Sequence, residues 1–504
     1  PVSNDQFPWT IEPQQVTLYF GQPENTRNYL CKLFQFAFQI CEGVIYLPGQ
    51  YPEISPSLSV RAALQEGLIL SYFDHGPSAL KIKEKPTTQY IEIDSYVITF
   101  TITKIEWFKH QDGADIVVKS FKKPQPVNRT YYPGVIVKHQ AYGDTTAIVH
   151  NAEYLLPLLF APIGTFALRM GYKRVRTKNK RIPKSGAVVV IPDICDLTRA
   201  AEVMQSIIPQ NLNQTAVGSV GDAILGAEIR LRARRLLDPE IINSIRAIWC
   251  CSTDWNQQLQ QMNNVFQVDQ DSITDKALDR YERSCKYLWG FIKKNKKNMK
   301  NKTNVKDKWM PSIVRPLVAE NLARGRPWYA GFVNLMIKIN PANGKPYRKQ
   351  IPLEKGGLYA MVNDPQMWDS EGEKLMVQAV HEAIYRSLGR IKDETDGPGV
   401  PPSDATRGRW KNFWQKRRLE LVGAKTEEQA RFALTNLFSR AGNNEVLRQH
   451  WEAVLEVMRR DWRLARDLGL LALASYQGRG EENEDDEEED NSDELPRYQS
   501  VTSE

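Results

Sequence analysis

The sequence predicts an α+β fold: a large mixed α/β domain with antiparallel sheet over residues 1–356, a helical bundle over 357–476 and an acidic tail over 477–504. Three observations carry this prediction. From Tyr96 to Lys104, Val97, Thr99, Thr101 and Thr103 alternate with Ile98, Phe100 and Ile102, a period of two that buries one face of a strand and wets the other. From Thr426 to Tyr476, three apolar stripes at helical spacing follow one another with short connections. From Glu481 to Glu494 there are eleven acidic residues and no basic one.

The three stripes are complete helix signals. Ala430, Leu434, Leu437, Phe438 and Ala441 share one face, opened by a capping-box spacing from Thr426 to Gln429 and closed by Gly442. Leu447, Trp451, Val454, Leu455 and Met458 form the second stripe, with Arg448, Arg459 and Arg460 on or beside the wet face. The third runs from Trp462 through Ala465, Leu468, Leu471 and Ala472 to Tyr476, leaving Arg463 and Arg466 outside. Such stripes must cover one another, which makes a bundle.

The charge points to a polyanionic partner. The whole chain is formally +7, and setting aside the eleven acids of the tail leaves +18 on the body. No run of eighteen apolar residues occurs, and Pro1 to Gln6 carry no basic n-region, so a soluble cytoplasmic protein is expected. The six cysteines, Cys31, Cys41, Cys195, Cys250, Cys251 and Cys285, form no C-x-x-C pair and read as buried, reduced thiols.

Along the chain, residues 1–150 read mostly as strands with helical insertions. Leu30 to Ile40 suits a buried helix or a strand, with helix the better fit. Trp107-Phe108 and Tyr131-Tyr132 offer faces for base stacking, although aromatic pairs more often fill cores. Lys173, Arg174, Arg176, Lys178, Lys180 and Arg181 then form a basic loop, with Arg169 and Lys184 at its edges. It precedes a buried strand at Ala187 to Ile191 and an amphipathic helix from Asp193 to Ile208. Cations spread along a loop suit phosphates rather than base edges.

Asn211, Asn213 and Gln214 follow, beside Gly218 and Gly221. Short amides between glycines can pair with base edges, and they also build ordinary Asx turns. Ile245 to Val268 suggests two strands around an Asn/Gln-rich connection. A helix from Ala277 to Ile292 leads into a second cluster, Lys293, Lys294, Lys296, Lys297, Lys300, Lys302, Lys306 and Lys308, interleaved with asparagines and poor in apolar residues. That composition predicts a mobile lysine arm. Val314 to Leu322 reads as a helix, Gly331 to Ile339 as a strand, Gly356-Gly357 as a domain boundary and Trp368 to Ile391 as a long helix. A third cluster, which includes Arg417 and Arg418, surrounds Trp410, Phe413 and Trp414, with the aromatics expected inside and the charges outside. Met361, Met367 and Met376 lie just after Gly356-Gly357, so a product starting at any of them would contain the helices of the bundle, and a fragment from Met361 is expected to fold alone. The tail after Tyr476 is expected to be disordered.

Two blocks carry a family resemblance. Leu437 to Trp451 with Asp461 to Tyr476, and Arg326-Pro-Trp-Tyr-Ala-Gly-Phe332, resemble the large subunit of a type I CRISPR surveillance complex (Cascade) of the MYXAN subtype. The likeness is strongest over residues 310–478. It implies a non-catalytic subunit, without cofactor or metal, that binds double-stranded target DNA and its displaced strand beside a guide RNA. The implied partners are the backbone, guide-handle and small subunits, and a helicase-nuclease or a transposition protein. Under that resemblance Asn211, Asn213 and Gln214 are candidates for reading the target-adjacent motif. The lysines and arginines already named, with Arg459, Arg460 and Arg463, are candidates for backbone contact.

Catalysis finds little support. The histidines at 75, 110, 139, 150, 381 and 450 are scattered, with no H-E-x-x-H and no G-x-S-x-G. A stand-alone DNA-binding protein or nuclease is the competing class, separable by whether guide RNA and other subunits co-purify.

Overall fold

The computed structural model describes residues 9–20, 23–51, 55–73, 79–93, 96–127, 148–170, 186–255, 258–269, 273–293, 307–337 and 346–478. Among them the chain is α+β, with mainly antiparallel sheets before residue 311, two of which include one parallel pair, and helices dominating from Arg315 onward. No described helix is long and apolar enough to cross a membrane. The basic loop from Lys173 to Lys184, the lysines between 294 and 306, Tyr131-Tyr132 and the acidic run all lie outside the described residues.

Leu30 to Ile40 is mainly helical, at the end of the helix Pro23–Ala37. Leu30 and Phe34 are fully buried at a spacing of four, with Phe38 just beyond the helix end. Phe34 and Phe38 lie within 5.1 to 5.7 Å of each other and of Phe160, an aromatic knot at the centre of one core. The next strands, Gln39–Cys41 and Val44–Tyr46, pair across Glu42 (φ 56°) and Gly43 (φ 78°). Two successive positive φ values are what a two-residue hairpin of matching twist demands.

A five-stranded sheet is the wall between two cores. Its order in space is 216–217, 166–170, 186–194, 242–255, 258–269. On the Gly186–Ile194 strand, Val188 and Val190 belong to the core shared with the C-terminal helices, and Val189 to the core around Phe34. A strand covered on both faces needs apolar residues at every position, which explains the unbroken run Ala187 to Ile191. The predicted Asn/Gln-rich connection is not a loop. Strand Ile242–Trp255 pairs with Gln258–Asp269 from Ser244↔Asp269 to Trp255↔Gln258, so most of the amide residues sit within the second strand.

The Tyr96–Ile102 strand forms, in a separate four-stranded sheet, but not with one buried and one wet face: Val97 and Thr101 on one face and Ile98 and Ile102 on the other are all buried. Other expectations shift. The helix at 193–208 is confined to Ala200–Ile207 after a 3-10 turn, because the strand before it runs on to Ile194. The helix from Ala277 ends at Tyr287, and Phe291–Lys293 is a strand. The strand expected at 331–339 is a turn at Gly331 (φ 74°) followed by a short helix, Val333–Ile337. A short apolar run suits either state, and here a distant side chain decides. The buried Asp467 carboxylate accepts the Gly331 N–H at 2.6 Å and the Val333 N–H at 3.2 Å, binding amides at a helix start from across the molecule.

The C-terminal helices are Glu371–Asp396, Asp404–Gly423, Glu427–Arg440, Glu445–Arg460 and Trp462–Ser475. The predicted cap is present: Thr426 accepts the Gln429 N–H, the Gln429 side chain accepts the Lys425 N–H, and Gly442 (φ 71°) follows the helix end. Glu382 of the first helix accepts the Glu445 and Val446 N–H groups at 2.9 and 3.0 Å, capping the fourth. Its neighbour His381 contacts Ala472 O and Ser475 Oγ, and burial lowers its pKa to about 4. Trp451 departs from the expected stripe and is 54% exposed, because the helix breaks at His450 (φ −132°, ψ 24°).

Gly356 and Gly357 lie inside the helix Lys355–Asn363. A Cβ at Gly357 would come 2.2 Å from the Tyr287 carbonyl oxygen, so this glycine permits a close helix approach. One hydrophobic core continues across this point, from Val203 and Ile224 through Trp328 and Leu358 to Leu468 and Tyr476. Among the described cysteines, Cys41 and Cys195 are exposed, contrary to the expectation that all are buried.

Candidate nucleic-acid interface

Strand register brings three segments to one end of the five-stranded sheet. Met170 pairs with both Gly186 and Val217, so the basic loop 171–185 leaves the sheet where Val217 passes into Gly218 and Ser219. Ala187 pairs with Cys250, and the 242–255 strand continues beyond this point. Cys251 to Trp255 then pair only with Met262 to Gln258, an overhanging arm of about 17 Å. Met170 and Gly186, which bracket Lys173, Arg174, Arg176, Lys178, Lys180 and Arg181 in sequence, therefore lie at the end of the sheet from which an arm with Gln258, Gln260 and Gln261 in it continues. Arg169, at the edge of the cluster, is held by Glu66 at 2.6 Å and is part of the scaffold.

Asn211, Asn213 and Gln214 are exposed and lie at or within the 3-10 turn Leu212–Gln214, just before the edge strand Ala216–Val217. The turn is tied down by the Gln214 N–H to Asn211 O and by the buried Thr215, whose hydroxyl donates to Leu212 O at 2.7 Å. The amides are thus presented on a braced turn at the sheet edge.

Beneath this edge lies a buried ionic network. Asp222 accepts the Gly218 N–H at 3.0 Å, the Tyr281 hydroxyl at 2.7 Å and Arg315 Nε at 3.2 Å. Burial and the Asp222 charge push the Tyr281 pKa well up, and both act to keep that hydroxyl a donor. Glu320 accepts the Gly221 N–H at 3.2 Å. Carboxylates of the protein therefore already occupy amides at the start of helix Val220–Ala233, which makes that helix end a brace rather than an anion site.

Glu228 in the same helix is 2% exposed, and burial raises its carboxyl pKa to about 8. A folded pKa above the unfolded value of about 4.3 stabilises the protein at low pH, and that contribution fades as pH rises through about 8. Glu228→Gln is therefore expected to unfold at higher urea than the parent protein above pH 8, with the difference shrinking toward pH 5. Equal midpoints at both pH values would place the proton elsewhere.

The second basic cluster is rooted on a defined stem. Lys293 and Lys308 face each other where Phe291–Lys293 pairs with Asp307–Met310. Lys294, Lys296, Lys297 and Lys300 lie in the segment that this stem closes. The third cluster requires a correction, because Arg417 is 2% exposed rather than on the wet face. It lies 2.6 Å from Glu420 and 5.8 Å from the Phe413 ring, where burial lowers its pKa. Trp410, Phe413 and Trp414 are only half-buried, which leaves room beneath them for the long arginine stem. Arg418 is half-buried. Arg460 is held at 2.9 Å by the buried Glu373, so this arginine is a link within the fold. Arg459 and Arg463 are exposed, the latter 5.0 Å from the Trp462 ring centre.

Sequence reading missed the overhanging arm and the Asp467 clamp. The arm could have been found from the near-equal lengths of the two strands around 256–257. The clamp had no local signal.

Fold and site together define an α+β scaffold that mounts cationic segments on the ends and stems of its sheets. The DevT N-terminal domain family matches residues 1–159, and the DevT C-terminal domain family matches residues 364–499. The CRISPR-associated protein Cas8a1/Csx13 of Myxococcus xanthus (strain DK1622) is 30% identical over 491 residues, covering 94% of this chain and 81% of that protein. The chain belongs to the Cas8a1/Csx13 family of CRISPR-associated proteins. The likeness reaches well beyond residues 310–478.

Proposed function

We propose that this chain is the non-catalytic large subunit of a type I CRISPR RNA-guided surveillance complex. It recognises the target-adjacent motif on double-stranded DNA, promotes opening of the duplex and holds the separated strands. Guide RNA supplies sequence specificity by pairing, so the protein needs backbone contacts and few base contacts. One observation supports this most: Met170 and Gly186, the strand ends that bracket six candidate cations, lie at the same end of a doubly covered sheet as the base of a long amide-rich arm. In this reading the loop and the lysine arm lie along phosphates, and Asn211, Asn213 or Gln214 reads base edges. Arg459 and Arg463 face the displaced strand, while backbone, guide-handle and small subunits complete the complex. A helicase-nuclease or a transposition protein is the recruited effector.

Affinity purification of the tagged chain from cells that express the other subunits and a guide tests this role. Guide RNA and the subunits are expected in the eluate. A chain that elutes alone and cleaves DNA with a divalent cation would overturn it.

Alanine at Asn211, Asn213 or Gln214 is expected to relax preference at one or two base pairs of the motif, losing about 1–3 kcal/mol of discrimination for a bidentate contact. Binding to a library with a randomised motif reads this directly. Unchanged preference in all three variants would move motif reading to the hairpin near Asn256 to Asn264.

A further inference from the structure

The pair Trp107-Phe108 divides between core and surface. Phe108 is fully buried, with its ring centre 5.6 Å from that of Phe73 and 6.2 Å from that of Phe38. Trp107, beside it on the same strand, is half-buried and belongs neither to the core around Phe34 nor to the one shared with the C-terminal helices. The strand Ile105–Phe108 pairs with Leu80–Ile82, which sets Lys81 directly opposite Trp107. Cross-strand partners share a face, and Lys81 Nζ stands 5.6 Å from the centre of the indole ring. Lys109 brings a second ammonium group to 6.0 Å.

The ring is held in place. Its Nε1–H donates to Asp112 Oδ2 at 3.1 Å. The turn that carries Lys109 and Asp112 is braced by Gln111, which accepts the Phe108 N–H at 3.3 Å and donates to Phe38 O at 3.2 Å. Behind the turn, His110 is fully buried against Phe38 and Phe73. Charge around the ring favours an anion. Lys81 opens an exposed run to Tyr90 that carries Lys83 and Lys85 and a single acid, Glu84, which Lys104 engages at 3.1 Å. Glu106 alternates to the other side of the strand from Trp107. Both ammonium groups stand farther from the ring centre than the about 3.5–4.0 Å of direct contact, which leaves depth for a flat group against the indole.

We propose that Trp107, with Lys81 and Lys109, is a stacking site for an unpaired nucleotide of a single-stranded nucleic acid. The base lies on the indole, and the phosphates on either side of it meet the two ammonium groups. A duplex keeps its base faces stacked inside, so the site takes unpaired strand. It rests on the nucleic-acid reading above and adds to it a ribbon that is separate from the five-stranded sheet.

Photo-cross-linking of the full-length chain to mixed-sequence oligonucleotides that carry iodouracil, read by mass spectrometry, tests the site without any substitution. A link at Trp107 is expected. A link with RNA alone marks a guide contact, and one with DNA marks a contact to a separated target strand. A chain that binds the oligonucleotides yet links only elsewhere overturns the site, whereas a chain that binds neither RNA nor DNA overturns the nucleic-acid reading itself. Binding across a salt series then separates stacking from charge. Trp107→Ala is expected to weaken single-strand binding about tenfold with the salt slope unchanged, and Trp107→Phe, which keeps an aromatic face, less than about threefold. Lys81→Gln with Lys109→Gln is expected to lower the slope by about 1.4, at about 0.7 per phosphate on single strands. Parent-like affinity in Trp107→Ala, or an unchanged slope in the lysine variant, would overturn the proposal. The lysine variant leaves the hydrogen bond from Trp107 to Asp112 in place, so its slope and the cross-link stand even where Trp107→Ala destabilises the fold.

Discussion

A fragment beginning at Met361 is expected to be helical yet to unfold at low urea without a sharp transition, whereas a fragment from residue 311 to 478 unfolds cooperatively. The bundle supplies its own stripes, which is why independence is the natural expectation from sequence. Its core is nonetheless completed from outside. Trp328, Tyr329, Phe332 and Leu358 are each no more than 1% exposed and belong to the same apolar cluster as Leu434, Leu468 and Leu471. Burial of each contributes about 1.5–3 kcal/mol, so their joint loss approaches the whole stability of an ordinary domain, about 5–15 kcal/mol. The cut also removes Gly331 and Val333, whose amides satisfy the buried Asp467. In the full chain, Asp467→Ala alone is expected to cost about 2–4 kcal/mol, since two amides then lose their charged acceptor. Urea titrations followed by circular dichroism compare the proteins. A Met361 fragment as stable as the longer one would restore a boundary at Gly356-Gly357.

Replacing Lys178, Lys180 and Arg181 together with glutamine is expected to weaken DNA binding by a similar factor on every sequence. If all three meet phosphates, the slope of log affinity against log salt falls by about 2.7, and the loss at moderate ionic strength is on the order of 10- to 100-fold. These residues lie between Met170 and Gly186, whose pairing fixes both ends of the loop on the sheet. Filter binding across a salt series on two unrelated sequences reads both quantities. A changed sequence preference at constant slope would mean that the loop reads bases rather than backbone.

Elements with strong local signals were legible in advance. The helices of the bundle, the cap at Thr426, the strand at Tyr96 and the buried strand before Ile191 all follow from periodicity and capping chemistry, which depend on neighbours a few residues away. Positions that depend on distant partners were not. Arg417 carries the sequence signature of a surface arginine, and only the packing of its helix places it inside beside Glu420. Trp451 belongs to a stripe by spacing, and the break at His450 turns it to solvent.

By itself the sequence determined the α+β class, the order of its main elements, the basic body and acidic tail, and the chemistry of its candidate contacts, because composition and local periodicity are properties of the chain. Only the tertiary structure decided that the strand ends bracketing the basic segment and the base of the overhanging arm lie at one end of one sheet. The same holds for Gly331 to Ile337, which folds as turn and helix, and for the core that runs across Gly356-Gly357. Each of these rests on pairing register or on a carboxylate more than a hundred residues away, and interactions at that separation leave no period in the sequence.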